Sequence, residues 1–224
     1  MSLFVVLEGA DGGGKTTQAQ RLAERLRAEG HEVVATREPG GTPAGAAIRS
    51  IVLGEVDIDP MTEALLIAAD RAEHVAKVIR PALRRGAVVV SDRYVPSSLA
   101  YQGVARGLGV DVVERLSAAA TDGLEPDLVI ILDVGPEVAA ARRAASPDRL
   151  EREPAFQETV RRAYRDLAAS HGWHVVDGGG PVDEVADQVW KLVSGLLSQK
   201  GSRTHAKCGV LNRQIAYRHL ARHR

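Results

Sequence analysis

The sequence predicts an α/β fold, a doubly wound parallel sheet of five strands with helices on both faces. Three observations carry that expectation: short β-branched runs recur along the chain, segments of helical spacing separate them, and a glycine-rich loop follows the first run directly. The runs are Leu3 to Leu7, Glu32 to Ala35, Ala87 to Ser91, Asp127 to Asp133 and Trp173 to Val176. Their near-continuous apolar character is what strands buried on both faces require. Strands alternating with helices pair in parallel and leave ligands at their carboxyl ends.

Taken in order, the first intervening segment places Ala19, Leu22, Ala23 and Leu26 on one helical face, and Gly30 stands where a C-terminal cap belongs. A long helix is expected from about Thr62 to Arg85, with Pro81 kinking or ending it. Gly178-Gly-Gly-Pro181 reads as a turn before a last amphipathic helix, Val182 to Leu197. At 224 residues and 45% hydrophobic content, one domain over residues 1–200 is expected, with a lid near 141–152 and a basic tail over 201–224.

The first strand runs into Gly9-Ala10-Asp11-Gly12-Gly13-Gly14-Lys15-Thr16, which fits G-x-x-x-x-G-K-[ST], with Thr17 and a helical segment following. Glycines let backbone N–H groups turn around phosphate oxygens, the helix N-terminus adds its dipole, Lys15 neutralises the β and γ phosphates, and Thr16 can ligate Mg²⁺. The fold expectation is therefore of the P-loop NTPase type, with residues 9–17 binding ATP. Guanine-specific switches use Asn-Lys-x-Asp, and the only asparagine is Asn212, in the tail. Such a switch is disfavoured.

The third strand leads into Asp92-Arg93-Tyr94, which puts a carboxylate and a guanidinium at the edge that carries the loop. Asp92 suits a metal role beside Thr16, and Arg93 can bridge donor and acceptor phosphates; an ion pair closing a strand is the plainer alternative. After the fourth strand, Arg142, Arg143, Arg149 and Arg152 lie in a segment broken by Pro147. An arginine-bearing lid over a triphosphate fits them, since phosphoryl transfer is mostly charge stabilisation and water exclusion. Solvated helix charge is the alternative.

Four blocks in order carry a resemblance: Glu8 to Gln18, Thr36-Arg-Glu-Pro-Gly-Gly-Thr-Pro43 with Ile48-Arg49, Ala69-Asp-Arg-Ala-Glu-His74, and Asp92-Arg-Tyr-Val-Pro-Ser-Ser-Leu-Ala-Tyr-Gln102. From about residue 3 to 197 the chain resembles the bacterial thymidylate kinases. The resemblance implies transfer of the γ-phosphate of ATP to dTMP with Mg²⁺, and a homodimer through the long helices. It implies that Asp11 accepts from the 3′-hydroxyl of the acceptor, and that Arg37 and Glu38 begin part of the acceptor pocket. Arg49 and Arg93 hold the acceptor phosphate, as planar guanidinium forks suit a dianion. Arg71 donates to a thymine carbonyl, Ser98 faces the base, Tyr101 closes on the sugar, and Gln102 completes the set. Lys15, Arg93 and Arg149 are the implied catalytic residues, Arg149 because Asp148-Arg149 matches the lid motif of the family. No general base is needed, because a phosphate oxygen with a second pKa near 6 is already deprotonated at neutral pH.

Two positions depart from the family pattern. Ile67 stands one helical turn before Arg71, where many members place an aromatic that stacks on thymine. Gly12 stands where some relatives carry a basic residue, which shifts the missing positive charge onto the lid arginines. His74 reads as a helix-surface or core histidine rather than a catalyst.

The 29 basic and 29 acidic residues balance, so bulk charge proposes no nucleic-acid or membrane partner. Residues 201–224 hold six Lys or Arg and no acid, the mark of a solvated extension with at most weak nucleic-acid contact. Cys208 is the only cysteine, and the first apolar run stops at Glu8, so a cytoplasmic enzyme without membrane span is expected. Two other readings stand beside the leading one: a nucleoside monophosphate kinase of shifted preference, motivated by Ile67, and a regulatory P-loop ATPase whose tail contacts nucleic acid.

Overall fold

The computed structural model describes residues 2–142 and 154–200. Its strands are β1 (Leu3–Glu8), β2 (Val33–Arg37), β3 (Val88–Asp92), β4 (Leu128–Asp133) and β5 (His174–Asp177). They form one parallel sheet in the order β2-β3-β1-β4-β5. From β1 the chain crosses to β2 at one edge, returns inward to β3, and then passes to β4 and β5 on the other side of β1, so the order reverses beside β1 and opens a crevice at the carboxyl ends. The observed bounds lie up to two residues beyond the expected ones, toward those ends. Arg37 pairs with Asp92, and Leu7 also pairs with Asp92, so the ladder continues past the apolar runs into the polar residues that follow them.

The helices are α1 (Lys15–Ala28), α2 (Pro43–Val52), α3 (Pro60–His74), α4 (Arg80–Arg84), α5 (Val95–Ser98), α6 (Val110–Thr121), α7 (Pro136–Arg142) and α8 (Pro154–His171), with α9 over residues 182–200. Side chains of β1 alternate between the two faces of the sheet. Leu3, Val5 and Leu7 pack with Leu22 and Leu26 of α1 and Val189 and Val193 of α9. Phe4 and Val6 go to the opposite face, against Ile79 and Tyr94. Farther along that side, Val129 and Ile131 meet Val160 and Tyr164 of α8. The same alternation sends Glu8 to the face of Phe4 and Val6, into a wholly buried position.

The helix expected from about Thr62 to Arg85 is present over residues 60–84, with a widened turn before Pro81 in place of an end there. It begins at Pro60, because Asp59 Oδ1 accepts from the Met61 N–H at 2.8 Å and proline in a first turn has no donor to satisfy. Pro81 does not end it. Val75–Ile79 widens into a π turn, and Pro81 then falls in the first turn of α4. A wider turn takes up the ring and the missing N–H that would break an α-helix. A second π stretch, Leu99–Ala105, continues α5. The expected last helix is present, docked on α1 by Gln18 Nε2 donating to the Val182 carbonyl at 3.0 Å and by Arg25 over the Trp190 ring at 4.3 Å.

Candidate active site

The chain between β1 and α1 turns across the carboxyl edge of the sheet, and no side chain caps α1 at Gly14. Its N-terminal N–H groups and dipole are thus open to an anion. They face a cavity of about 510 Å³ whose walls include Asp11 through Thr17, Arg37, Asp92, Arg93 and Arg142. Lys15 is buried, its Nζ 2.9 Å from the Ala10 carbonyl and 3.8 Å from Asp11. Burial lowers its pKa, as does Arg93. Thr16 Oγ1 donates to Asp92 Oδ2 at 2.5 Å, so the two expected metal ligands meet. Gly9 and Ala10 do not line the cavity; their carbonyls lie beneath it, accepting from Arg93 at 3.2 Å and from Lys15.

Gly12 adopts φ 84°, and a Cβ there would meet backbone atoms of Ala139 at 2.4 and 2.9 Å. The loop is packed against the backbone of α7, so position 12 has no room for a side chain, basic or otherwise. Arg142, at the end of that helix, reaches the cavity instead, with its guanidinium donating to the Gly178 carbonyl at 2.7 Å. Arg143, Arg149 and Arg152 lie outside the described residues.

A second cavity of about 110 Å³ adjoins the first and shares Asp11, Glu38, Arg49 and Arg93 with it. Ile67, Arg71, Ser98, Tyr101 and Gln102 of the anticipated acceptor set also line it, whereas Arg37 lines only the first cavity. Arg93 is the junction. It has φ 78°, a left-handed backbone rare for a residue with a Cβ and costing roughly 1–3 kcal/mol. Its N–H is held by the Leu7 carbonyl at 3.0 Å, and the turn aims the guanidinium at Asp11, Ser97, Tyr101 and Tyr164.

Buried carboxylates surround this cation. Glu8 accepts from the Tyr94 N–H at 2.7 Å, from Ser97 Oγ at 2.6 Å and from Tyr164 Oη at 2.8 Å. Burial still pushes its pKa up, against the pull of Arg93. Burial would likewise raise Asp11, but Arg93 and Lys15, with hydrogen bonds from Tyr101 and Gln157, outweigh it and hold Asp11 at about 2. A carboxylate with a depressed folded-state pKa stabilises the fold above its unfolded pKa, near 3.9, and loses that contribution as pH falls through the folded value. Asp11→Asn is therefore expected to be less stable than the native chain at pH 7 by about 2 kcal/mol. The difference should shrink between about pH 4 and pH 2 in urea unfolding; a gap that stays constant would show that Asp11 is not held by charge.

On the acceptor side, Glu38 joins two elements. Its Oε2 accepts from Arg71 Nε at 2.8 Å and its Oε1 lies 2.8 Å from His74 Nδ1, while His74 Nε2 is 2.6 Å from Thr36 Oγ1. His74 is thus a core histidine that braces the loop after β2. Arg71 also donates to Ser98 Oγ at 3.0 Å and to the Tyr94 carbonyl at 2.9 Å. Gln102 Nε2 donates to the buried Glu63 at 2.8 Å, which fixes it at the back of the cavity. Asp70 Oδ1 holds the Gly40 N–H at 3.0 Å, and burial pushes its carboxyl up.

Sequence reasoning missed three participants. Gln157 donates to Asp11 Oδ2 at 3.1 Å and accepts from the Asp11 N–H at 3.3 Å, and Tyr164 Oη bonds both Glu8 and Ser97. The one available signal was Gln157 itself, a polar residue on the buried stripe Gln157, Val160, Ala163, Tyr164 and Leu167 of α8. The third is Glu8, whose burial places the hub of the network one residue before the loop.

A phosphate-binding loop at the carboxyl edge of a parallel sheet, with a second, arginine-lined cavity opening from the first, defines a P-loop nucleotide kinase. The family model described as thymidylate kinase matches residues 7–189. A thymidylate kinase of Deinococcus radiodurans is 47% identical over 198 residues, 86% of this chain and 96% of the relative. One from Thermomicrobium roseum is 49% identical over 210 residues, covering 91% and 100% of the two chains. Another, from Leifsonia xyli subsp. xyli, is 52% identical over 193 residues, covering 84% and 92%. The chain belongs to the thymidylate kinase family. No helix of the described residues is long and apolar enough to cross a membrane.

Proposed function

We propose that this chain transfers the γ-phosphate of ATP to dTMP, giving ADP and dTDP. The observation that carries the reading, beside family membership, is the pair of adjoining cavities that share Asp11 and Arg93. The larger cavity receives the triphosphate on the N–H groups of residues Asp11 to Thr17 of the loop and on the Lys15 side chain. Its far end, bounded by Arg142, Gly178, Gly180 and Val185, receives the purine of the donor. The smaller cavity receives the acceptor: Arg71 and Ser98 meet the base, Ile67 forms an aliphatic wall, Tyr101 and Asp11 meet the sugar, and Arg49 and Arg93 hold the phosphate.

Arg93 stands between the two phosphates, so its charge offsets the repulsion as one phosphate oxygen attacks the other phosphorus. The attacking oxygen is already an anion, so no side chain need take a proton. Thr16 and Asp92 offer adjacent oxygen donors, and the described residues hold no cluster of three His, Cys, Asp or Glu. That set fits Mg²⁺, which keeps several waters and binds through one or two protein oxygens and the phosphates. When bound, the ion neutralises charge on the β and γ phosphates. In this reading Arg149, which lies outside the described residues, is a catalytic residue, and the chain works in the cytoplasm as a single kinase domain. Exposed Ile51, Val56, Leu65 and Val104 on or near α2, α3 and the second π stretch offer the face for a homodimer.

The test is turnover of dTMP, dUMP, dCMP and GMP in a coupled ADP-release assay. Preference for dTMP is expected, with dUMP next, because a cytosine presents an amino group where Arg71 donates. Equal or better rates with dCMP or GMP would overturn the reading in favour of a kinase of shifted preference. ATP hydrolysis that needs DNA or RNA and no nucleotide acceptor would overturn it in favour of a regulatory ATPase.

A further inference from the structure

A third cavity, of about 550 Å³, lies away from the phosphate loop and the acceptor pocket, between α5, α6 and the turn from α8 into β5. None of the residues assigned above to donor or acceptor lines it, yet two of its walls touch Arg71. Tyr94 accepts from Arg71 through its carbonyl at 2.9 Å and places its ring 5.3 Å from the guanidinium. Ser117, 3% exposed, accepts from the same guanidinium at 3.4 Å. The segment that carries Arg93, Ser97 and Ser98 toward the reaction turns Val95, Pro96 and Leu99 toward this cavity.

The lining has a definite character. Glu114, Glu125 and Asp127 are on its wall and no Lys or Arg is. Asp127 is engaged, accepting from the Phe4 N–H at 2.8 Å and pairing with Lys200 at 2.5 Å. Glu114 lies 3.6 Å from His171, which also lines the cavity. Trp173 stacks on that histidine at 4.6 Å and 26°, and with Leu99, Leu124 and Leu128 supplies an aromatic and aliphatic floor. Carboxylates over an apolar, aromatic floor select a flat organic cation, which gains from both charge and ring contact.

We propose that this cavity is an effector site for small aromatic cations, of the amidinium or ammonium class, and that its occupancy weakens acceptor binding through Tyr94 and Ser117. A positive charge set against the wall that holds the Arg71 guanidinium opposes that guanidinium's own position. The second half of the proposal rests on Arg71 contacting the acceptor base; the first half does not.

The probe is benzamidine, with benzamide and benzoate as its neutral and anionic counterparts. In the full-length chain carrying Trp190→Phe, Trp173 is the one tryptophan, and saturable quenching of its selectively excited emission by benzamidine is expected, at least tenfold tighter than by benzamide and absent with benzoate. The double substitution Glu114→Gln with Glu125→Gln should weaken benzamidine binding about tenfold, and Ala118→Phe, at an exposed wall position, should abolish it. Saturating benzamidine should raise the KM for dTMP threefold or more, with kcat within twofold. Quenching that is not saturable, or that is equal for all three probes, overturns the site. Saturable binding with an unmoved or lowered KM overturns the coupling while leaving the kinase reading intact. Failure of dTMP to react at all would overturn the kinase reading while the quenching titration still decides the site.

Discussion

Arg93→Ala is expected to lower kcat about a thousandfold, with the KM for ATP changed by less than tenfold. The expectation follows from where the guanidinium stands. It is shared by both cavities, it sits at the end of β3 on a left-handed backbone, and buried Glu8 and half-buried Asp11 flank it. The triphosphate has the loop N–H groups and Lys15 to hold it, so binding survives the loss of one arginine. The transition state has two phosphates in line and needs a cation between them, so the rate does not survive. Alanine also leaves Asp11 without its principal positive neighbour, and its pKa should climb from about 2. Arg93→Gly separates strain from charge. Glycine takes φ 78° freely, so if the rate loss came from backbone disturbance, Arg93→Gly would recover activity relative to Arg93→Ala. Equal loss in both variants places the effect in the guanidinium. A thousandfold loss appearing in the KM for ATP with kcat unmoved would assign Arg93 to nucleotide positioning alone.

The residues of this network differ in how far the sequence announced them. The strand runs and the loop's placement were readable because hydropathy reports burial and the glycine loop reports a backbone that must approach an anion, whereas the order β2-β3-β1-β4-β5 came only with the fold. Pairing of Arg37 and Leu7 with Asp92 was hidden, because polar residues in a ladder look like loop. The mutual positions of Thr16 and Asp92, or of Glu38 and Arg71, depend on which strands neighbour each other, and the block order only implied that through resemblance. Gln157 and Tyr164 reach Asp11 and Glu8 across about 150 residues of sequence, and no local pattern encodes such a contact. Gly12 shows the reverse case. Its lack of a side chain was visible as a departure, but the cause, the backbone of α7 pressed against the loop, needed the fold. That contact also gives physical content to the presence of Arg142 on the cavity wall, since position 12 cannot supply a cation.

The largest stability effect is expected from Glu38→Ala. Glu38 and Arg71 have side chains only 2% exposed, and the carboxylate is the one acidic partner that Arg71 Nε meets. Removing one member of a buried ion pair leaves the other charged and desolvated, which costs about 3–5 kcal/mol. The same carboxylate holds His74 Nδ1, and the loop after β2 runs so close to that ring that a Cβ on Gly41 would lie 2.6 Å from it. Loss of Glu38 thus frees the loop and the base-facing arginine together. For a chain of this size a loss of that order lowers the melting temperature by roughly 6–20 °C. The KM for dTMP should rise well beyond that for ATP, because Arg71 lines only the acceptor cavity. Arg71→Met in the Glu38→Ala background is the decisive companion. It removes the stranded charge while keeping an apolar side chain, so part of the lost stability should return, although base selection does not. If Glu38→Ala costs under 1 kcal/mol, or if the second substitution destabilises it further by the full amount of Arg71→Met alone, the two side chains are not coupled and the acceptor pocket is held by its apolar walls.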